Sequence, residues 1–309
     1  MNRFKLLMAI CLAVVSCNKS GTDDNWARID VKANVAHMIT RAGYEGTSVL
    51  PDVFYMDICQ NSGEKYDYSL VEISKTHFGA NEYSVSSGEK LLWATKDHSE
   101  ASIKAMTLPL GLYQIDKTNP MRICVATDQT LEMDVRRSDL LCADTDVNGG
   151  ITIQGNTIDV SFRHILTKLD LNYSLGSELQ TSDVVITSIT LKDVCIVGGY
   201  DYASMNFTNS VKSEYGDIVM YLDKSRQKAE AIFIPFVVEK APKIVIKATI
   251  DGVERVFACT MVADEAGLFA SGCRYTVNVS INGSSISSVG ASIADGWDSD
   301  TDGDRFFTE

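Results

Sequence analysis

The sequence predicts an all-β protein, and three observations predict it. Short runs alternate polar and apolar residues with period two, glycine-containing turn dipeptides separate them, and long helical periodicities are absent. Regularly spaced short strands build β-sandwiches, and 309 residues are too many for one and comfortable for two. The expected order is a signal segment over 1–16, a tether over 17–27, a first sandwich over 28–157, a second over 158–297 and an acidic tail over 298–309.

Arg3 and Lys5 precede an apolar run, Leu6–Val15. That run is about half of the roughly 20 residues needed to cross a bilayer, and it suits a secretory signal. It ends in Val14-Val15-Ser16-Cys17, which resembles the lipobox of bacterial lipoproteins, so lipidation is expected on Cys17. Acyl chains contribute about 0.8 kcal/mol per buried CH2, enough for several chains on one cysteine to hold an outer-membrane protein in place. Polar residues 18–27 then form the tether.

ITIQGNTIDVSF (151–162) places Gly155-Asn156 between two strands, and this polar hairpin marks the expected domain boundary. VITSITLKDVCIV (185–197) is rich in β-branched residues and alternates. SMNFTNSVKSEYGD (204–217) suggests a turn or two of helix. In AIFIPFVVEK (231–240), Pro235 removes a ladder donor, which predicts an edge position or a bend. KIVIKATIDGVERVFACTMV (243–262) is a hairpin turning at Asp251-Gly252. CRYTVNVSINGSSIS (273–287) repeats the device at Asn282-Gly283, with Tyr275, Val277, Val279 and Ile281 on one face.

Lys plus Arg number 28 against 41 Asp plus Glu, a net charge of −13 with no basic cluster, so no nucleic-acid partner is expected. Eight cysteines sit at 11, 17, 59, 124, 142, 195, 259 and 273. Six remain once Cys11 leaves with the signal and Cys17 takes lipid. They read as buried thiols, since four lie in apolar strand runs, although three disulfides in any of 15 pairings are the alternative.

His37, His77, His98 and His164 are scattered, and no HExxH, GxSxG or glycine-rich phosphate loop occurs. No catalytic residue, cofactor or enzyme activity is therefore expected. His164 shares a side with Phe162 and Leu166 and reads as structural, without an evident carboxylate partner. The tail DSDTDGDRFFTE aligns Asp298, Asp300, Asp302 and Glu309 with the calcium pattern D-x-D-x-D-G-x5-E. A calcium loop needs an apolar eighth position and flanking helices; here that position is Arg305 and the preceding stretch has strand and turn character. The tail reads as solvated turns, with those four residues as the alternative metal site.

Several stretches together resemble the fimbrillin family, the two-domain type V pilins of Gram-negative anaerobes. They are the lipobox at Cys17, Thr40-Arg41-Ala42, Asp139-Leu140-Leu141-Cys142-Ala143, the strand carrying Phe162, His164, Leu166, Lys168 and Leu169, the ITSITL run, Tyr275-Thr-Val-Asn-Val, and Ile293-Ala-Asp-Gly-Trp297. The resemblance implies two tandem transthyretin-like sandwiches, no enzyme activity, and export as a lipoprotein to the outer membrane. It implies processing by an arginine-specific protease, for which Arg41 is the candidate and Arg28 the alternative. Residues 29–40, with Ile29, Val31, Ala33, Val35 and His37 alternating, would be the strand removed. A neighbouring fimbrial subunit would fill the vacated groove with its C-terminal strand, here within Ile286–Ile293.

Two alternatives stay open. The Asp- and Gly-rich tail disfavours strand and also suits a pilus tip or anchor subunit. A non-polymerising surface lipoprotein binding glycans, host proteins or bacterial surface ligands would expose Trp26, Trp93 or Trp297 at a sandwich edge.

Overall fold

A computed structural model describes residues 28–35, 50–60, 66–77, 81–95, 98, 100–146, 150–261, 267–283 and 285–294, the last stretch from 287 as backbone only. Cys17, Arg41, His37, Trp26, Trp297 and the tail with its candidate calcium ligands lie outside the described residues.

The first strands are β1 (Asp30–Val35), β2 (Val53–Cys59), β3 (Tyr68–Lys75), β4 (Glu82–Val85) and β5 (Ser102–Met106). Next come β6 (Met121–Cys124), the helix α1 (Glu132–Ser138), β7 (Leu141–Asp144), β8 (Ile151–Gln154) and β9 (Thr157–His164). Then follow β10 (Thr167–Leu175), β11 (Val184–Asp201), β12 (Asn206–Thr208), β13 (Glu214–Val219), β14 (Tyr221–Asp223) and β15 (Lys228–Phe233). The remaining strands are β16 (Phe236–Val237), β17 (Lys243–Ile250), β18 (Val253–Thr260), β19 (Leu268–Phe269), β20 (Arg274–Ile281) and β21 (Ile286–Ala294). The protein is all-β, as its alternation predicts.

One sheet runs β1-β4-β3-β2-β5-β7-β9-β8, and β1 also pairs with β9, so seven strands close into a ring. A five-stranded sheet runs β14-β15-β10-β20-β21. A further sheet runs β12-β11-β17-β18, with β6 and β13 also on β11. Two hydrophobic clusters result. One fills the ring around Phe54, Met56, Ile58, Ile73 and Phe162; the other lies among Leu169, Leu171, Ile189, Leu191 and Ile244. In the first, Phe54 meets both Tyr83 and Phe162 edge-on at centroid distances of 5.0 Å, the geometry favoured by the ring quadrupole.

The sheets change over between His164 and Thr167, not at 157/158. A division there would sever β9, which starts at Thr157, from its partners β1, β7 and β8. Gly155-Asn156 is no linker: Gln154 pairs with Thr157 across it, and Gly155 has φ +59°. Conversely, β6 pairs with β11, and Val135 and Leu140 join the second cluster. Residues 121–140 therefore leave the first core, although sequence order places them with it.

Turn chemistry explains the remaining local structure. Asp251 and Gly252 both take positive φ, 49° and 79°, the pairing a two-residue hairpin of this hand requires. The Asn282 turn is longer than the dipeptide suggests: Ile281 pairs with Ile286, and Asn282 and Ser285 exchange backbone hydrogen bonds. The chain leaves its sheet at Pro235, between β15 and β16, which is the predicted bend. Residues 204–217 hold β12 and the start of β13 in place of helical turns, because Phe207 and Tyr215 face the long partner strand β11. Tyr275, Val277, Val279 and Ile281 are all buried, as their alternation predicts.

Candidate functional site

β1 is a six-residue strand with two neighbours. It runs parallel to β9 over Asp30–Val35 and antiparallel to β4 at Val31 and Lys32. The backbone N–H groups of Ile29, Asp30 and Ala33 donate to the carbonyls of Leu91, Asn156 and Asn81, at 2.9, 3.1 and 3.0 Å. Its sequence sorts cleanly: Ile29, Val31, Ala33 and Val35 are buried, while Asp30 and Lys32 face solvent. The period-two pattern read from residues 29–35 thus points one apolar row into the ring. Opposite that row lie Ile158, Val160 and Phe162 of β9 and Tyr83 of β4.

Taking β1 out would leave an apolar slot edged by the unpaired backbone of β9 and β4. Such an edge costs free energy until another strand occupies it. β9 and β4 run in opposite directions on either side of the slot, so a replacement in either direction makes one parallel and one antiparallel ladder. Arg28 stands at the mouth of this slot, exposed, with its backbone bridged to Leu92 and its side chain 3.5 Å from Asp30. That exposure leaves it accessible to a protease, but a cut there would remove none of β1.

β21 has a simpler environment. Among the described residues it pairs antiparallel with β20 alone, from Ile286 opposite Ile281 to Ala294 opposite Arg274, and forms one edge of its sheet. The segment Ile286–Ile293 lies within it. A strand held along one side only can be exchanged by breaking a single ladder.

The other motif residues form a seam between the cores. Leu140 and Cys142 enter the second cluster, while Leu141 and Ala143 enter the first, so β7 is buried on both faces. His164, at the end of β9, is buried and its Nδ1 lies 2.9 Å from Oδ1 of buried Asp139. Sequence reading missed this carboxylate, which sits 25 residues away and meets the histidine only through strand pairing. Four residues on, Lys168 is fully buried, with Nζ 2.9 Å from Glu230 and 3.4 Å from Asp170. Burial pushes the Cys142 thiol up, making it a poor nucleophile. Of the six cysteines read as buried thiols, Cys142 and Cys195 are buried, Cys124, Cys259 and Cys273 are half-buried, and Cys59 is exposed, so for Cys59 the reading fails.

Trp93 is buried and stacks on His98 at 4.0 Å, so it lines no exposed edge. Among the described residues no group of His, Cys, Asp and Glu has metal-holding geometry.

No curated protein matches the chain. Among solved structures, a candidate cell-adhesion protein of Bacteroides ovatus superposes with a TM-score of 0.63 at 13% identity, covering 87% of this chain and 97% of that one. Another, of Bacteroides uniformis, gives 0.60 at 15% identity and covers 89% and 98%. The tip fimbrial protein of Porphyromonas gingivalis, solved with a C-terminal truncation, gives 0.51 at 11% identity and covers 86% and 99%. Likeness at these identities shows a shared fold. A family model described as fimbrillin-like matches residues 52–297, most of the chain. The protein belongs to the fimbrillin-like family.

Proposed function

We propose that this fimbrial subunit or adhesin joins other fimbrial subunits by strand exchange at the β1 slot. One observation carries the reading: the N-terminal strand is short, wedged between β4 and β9, and held by four buried apolar residues. Arg41 follows it in sequence, so cleavage there by an arginine-specific protease frees β1 whole, whereas Arg28 is the less productive site. The two cores are then the two tandem transthyretin-like sandwiches, and β21 of a neighbour is the strand that refills the slot. Head-to-tail repetition of this contact does not close on itself and grows a filament. Lipid on Cys17 carries the precursor to the outer membrane, and the work of the mature protein is structural.

The test is Arg41→Ala in the native export host. Wild-type protein is expected in surface filaments with a mature N-terminus at Ala42, seen by negative-stain microscopy and mass spectrometry. The variant is expected to keep an acylated Cys17 and to form none. Normal filaments from Arg41→Ala would refute cleavage-driven assembly.

A further inference from the structure

A cavity of about 420 Å3 lies where the first sheet faces the second core. Its size falls within the roughly 300–1,000 Å3 of small-molecule sites. It is bordered by reciprocal lysine contacts. Lys117, from the segment before β6, reaches back to the first sheet, with Nζ 3.0 Å from Asp57 Oδ2 and 3.0 Å from Ser69 Oγ. Lys104 of β5 reaches the other way, its Nζ donating to the carbonyl of Ala203 in the β11–β12 turn.

The backbone at this cleft is unusual. The β2–β3 register slips between Met56 and Ile58, where Ser69 and Leu70 of β3 face the single residue Asp57, so the bulge lies in β3. Within it, Leu70 takes φ +48°, a conformation costly for a residue with a branched side chain, and its N–H donates to Asp57 Oδ1 at 2.6 Å. Bulges of this kind re-aim a side chain, and here Ser69 of the bulge and the Asp57 carboxylate facing it both border the cavity. Tyr202 lines the same space. It is 2% exposed, and its hydroxyl lies beside the Asp57 carboxylate without a well-aligned hydrogen bond. Burial and the nearby Asp57 carboxylate push its phenol well up, so the hydroxyl keeps its proton and is a donor in waiting.

We propose that this cleft binds a neutral polyhydroxylated sugar unit. Its charged lining residues are Asp57, Asp67, Lys104 and Lys117, two of each sign, so no net charge demands a charged ligand. Donors and acceptors alternate around the space, with Ser102 and Ser69 as hydroxyls that can play either part. A sugar ring offers both roles at each hydroxyl, and one of its oxygens would accept from the buried Tyr202 O–H, which otherwise has the Asp57 carboxylate beside it. The site is separate from the β1 slot, so its ligand would be held by monomer and filament alike.

Saturation-transfer NMR and calorimetric titration of the purified full chain test this, with methyl glycosides of glucose, galactose, mannose and N-acetylglucosamine as probes. Glucosamine and sialic acid serve as cationic and anionic comparisons. At least one neutral glycoside is expected to bind. Ser102→Trp and Ser69→Phe, both at exposed positions, fill the cavity from opposite walls and are expected to weaken binding at least about tenfold with the unfolding midpoint retained. Tyr202→Phe is expected to weaken it several-fold. Arg41→Ala is expected to leave binding unchanged, which separates this site from strand exchange. Binding of none of the neutral probes, tighter binding of a charged one, or indifference to both filling substitutions would overturn the assignment.

Discussion

Ile29→Ala tests whether β1 is a removable wedge in an otherwise separate core. Ile29 is 5% exposed and fixes the entrance of the strand, where its N–H meets Leu91. Truncating a buried isoleucine to alanine costs about 2–5 kcal/mol, through lost transfer energy and the cavity left behind. If β1 leaves the slot as a unit, that cost raises the open-slot population roughly 30-fold to a few thousand-fold, since each 1.4 kcal/mol is a factor of ten. Hydrogen–deuterium exchange with mass spectrometry reads this directly. Peptides covering β1 and its partner Thr157–Phe162 should lose protection by that factor, while β10 and β20, in the other core, keep theirs. Equal loss of protection in β10 and β20 would show that the slot cannot open locally, and the strand-exchange reasoning would fail with it.

Three other outcomes follow from the packing. Lys168→Met leaves half-buried Glu230 without its ammonium and should cost about 2–4 kcal/mol in denaturant unfolding, while the Lys168→Met, Glu230→Met double variant should recover much of it. Gly252→Ala places a Cβ at φ +79° and should lower stability by about 1–2 kcal/mol, a drop that calorimetry would register. The Asp116 carboxyl is held below the usual carboxylate range by the backbone N–H groups of Asn119 and Thr118 and the Asn119 side chain. Its folded value is depressed, so its contribution is present above about pH 3.9, the unfolded value, and is lost as pH falls toward the folded one. Acid titration of unfolding should therefore show Asp116→Ala losing less stability than wild type over that window.

Much of this was legible in the residues because period two is a local property. Ile29 to Val35, Tyr275 to Ile281 and the Asp251-Gly252 turn each carry their answer within a few positions, and each folds as its pattern predicts. The family motifs were legible as motifs but not as a seam. That Leu140 and Leu141 enter different cores depends on which sheets close around β7, and adjacent residues cannot reveal it. Asp139 beside His164 and Lys168 beside Glu230 escaped for the same reason, being pairings over long sequence separations. The short helix α1 carried a signal that was passed over: Glu132 and Asp134 in its first turn, Arg136 and Arg137 in its last. The change-over after His164 was hidden by a polar hairpin that looked like a linker and proved to be a turn inside one sheet.

β11 has a mechanical consequence. Its eighteen residues extend about 60 Å at roughly 3.3 Å each, less the shortening from its bulges. β17 flanks one half, and β6 and β12 the other, where Tyr202 follows at the sugar-sized cleft. Tension applied along such a beam loads its flanking rungs side by side in shear, so they must yield together and cannot be peeled one after another.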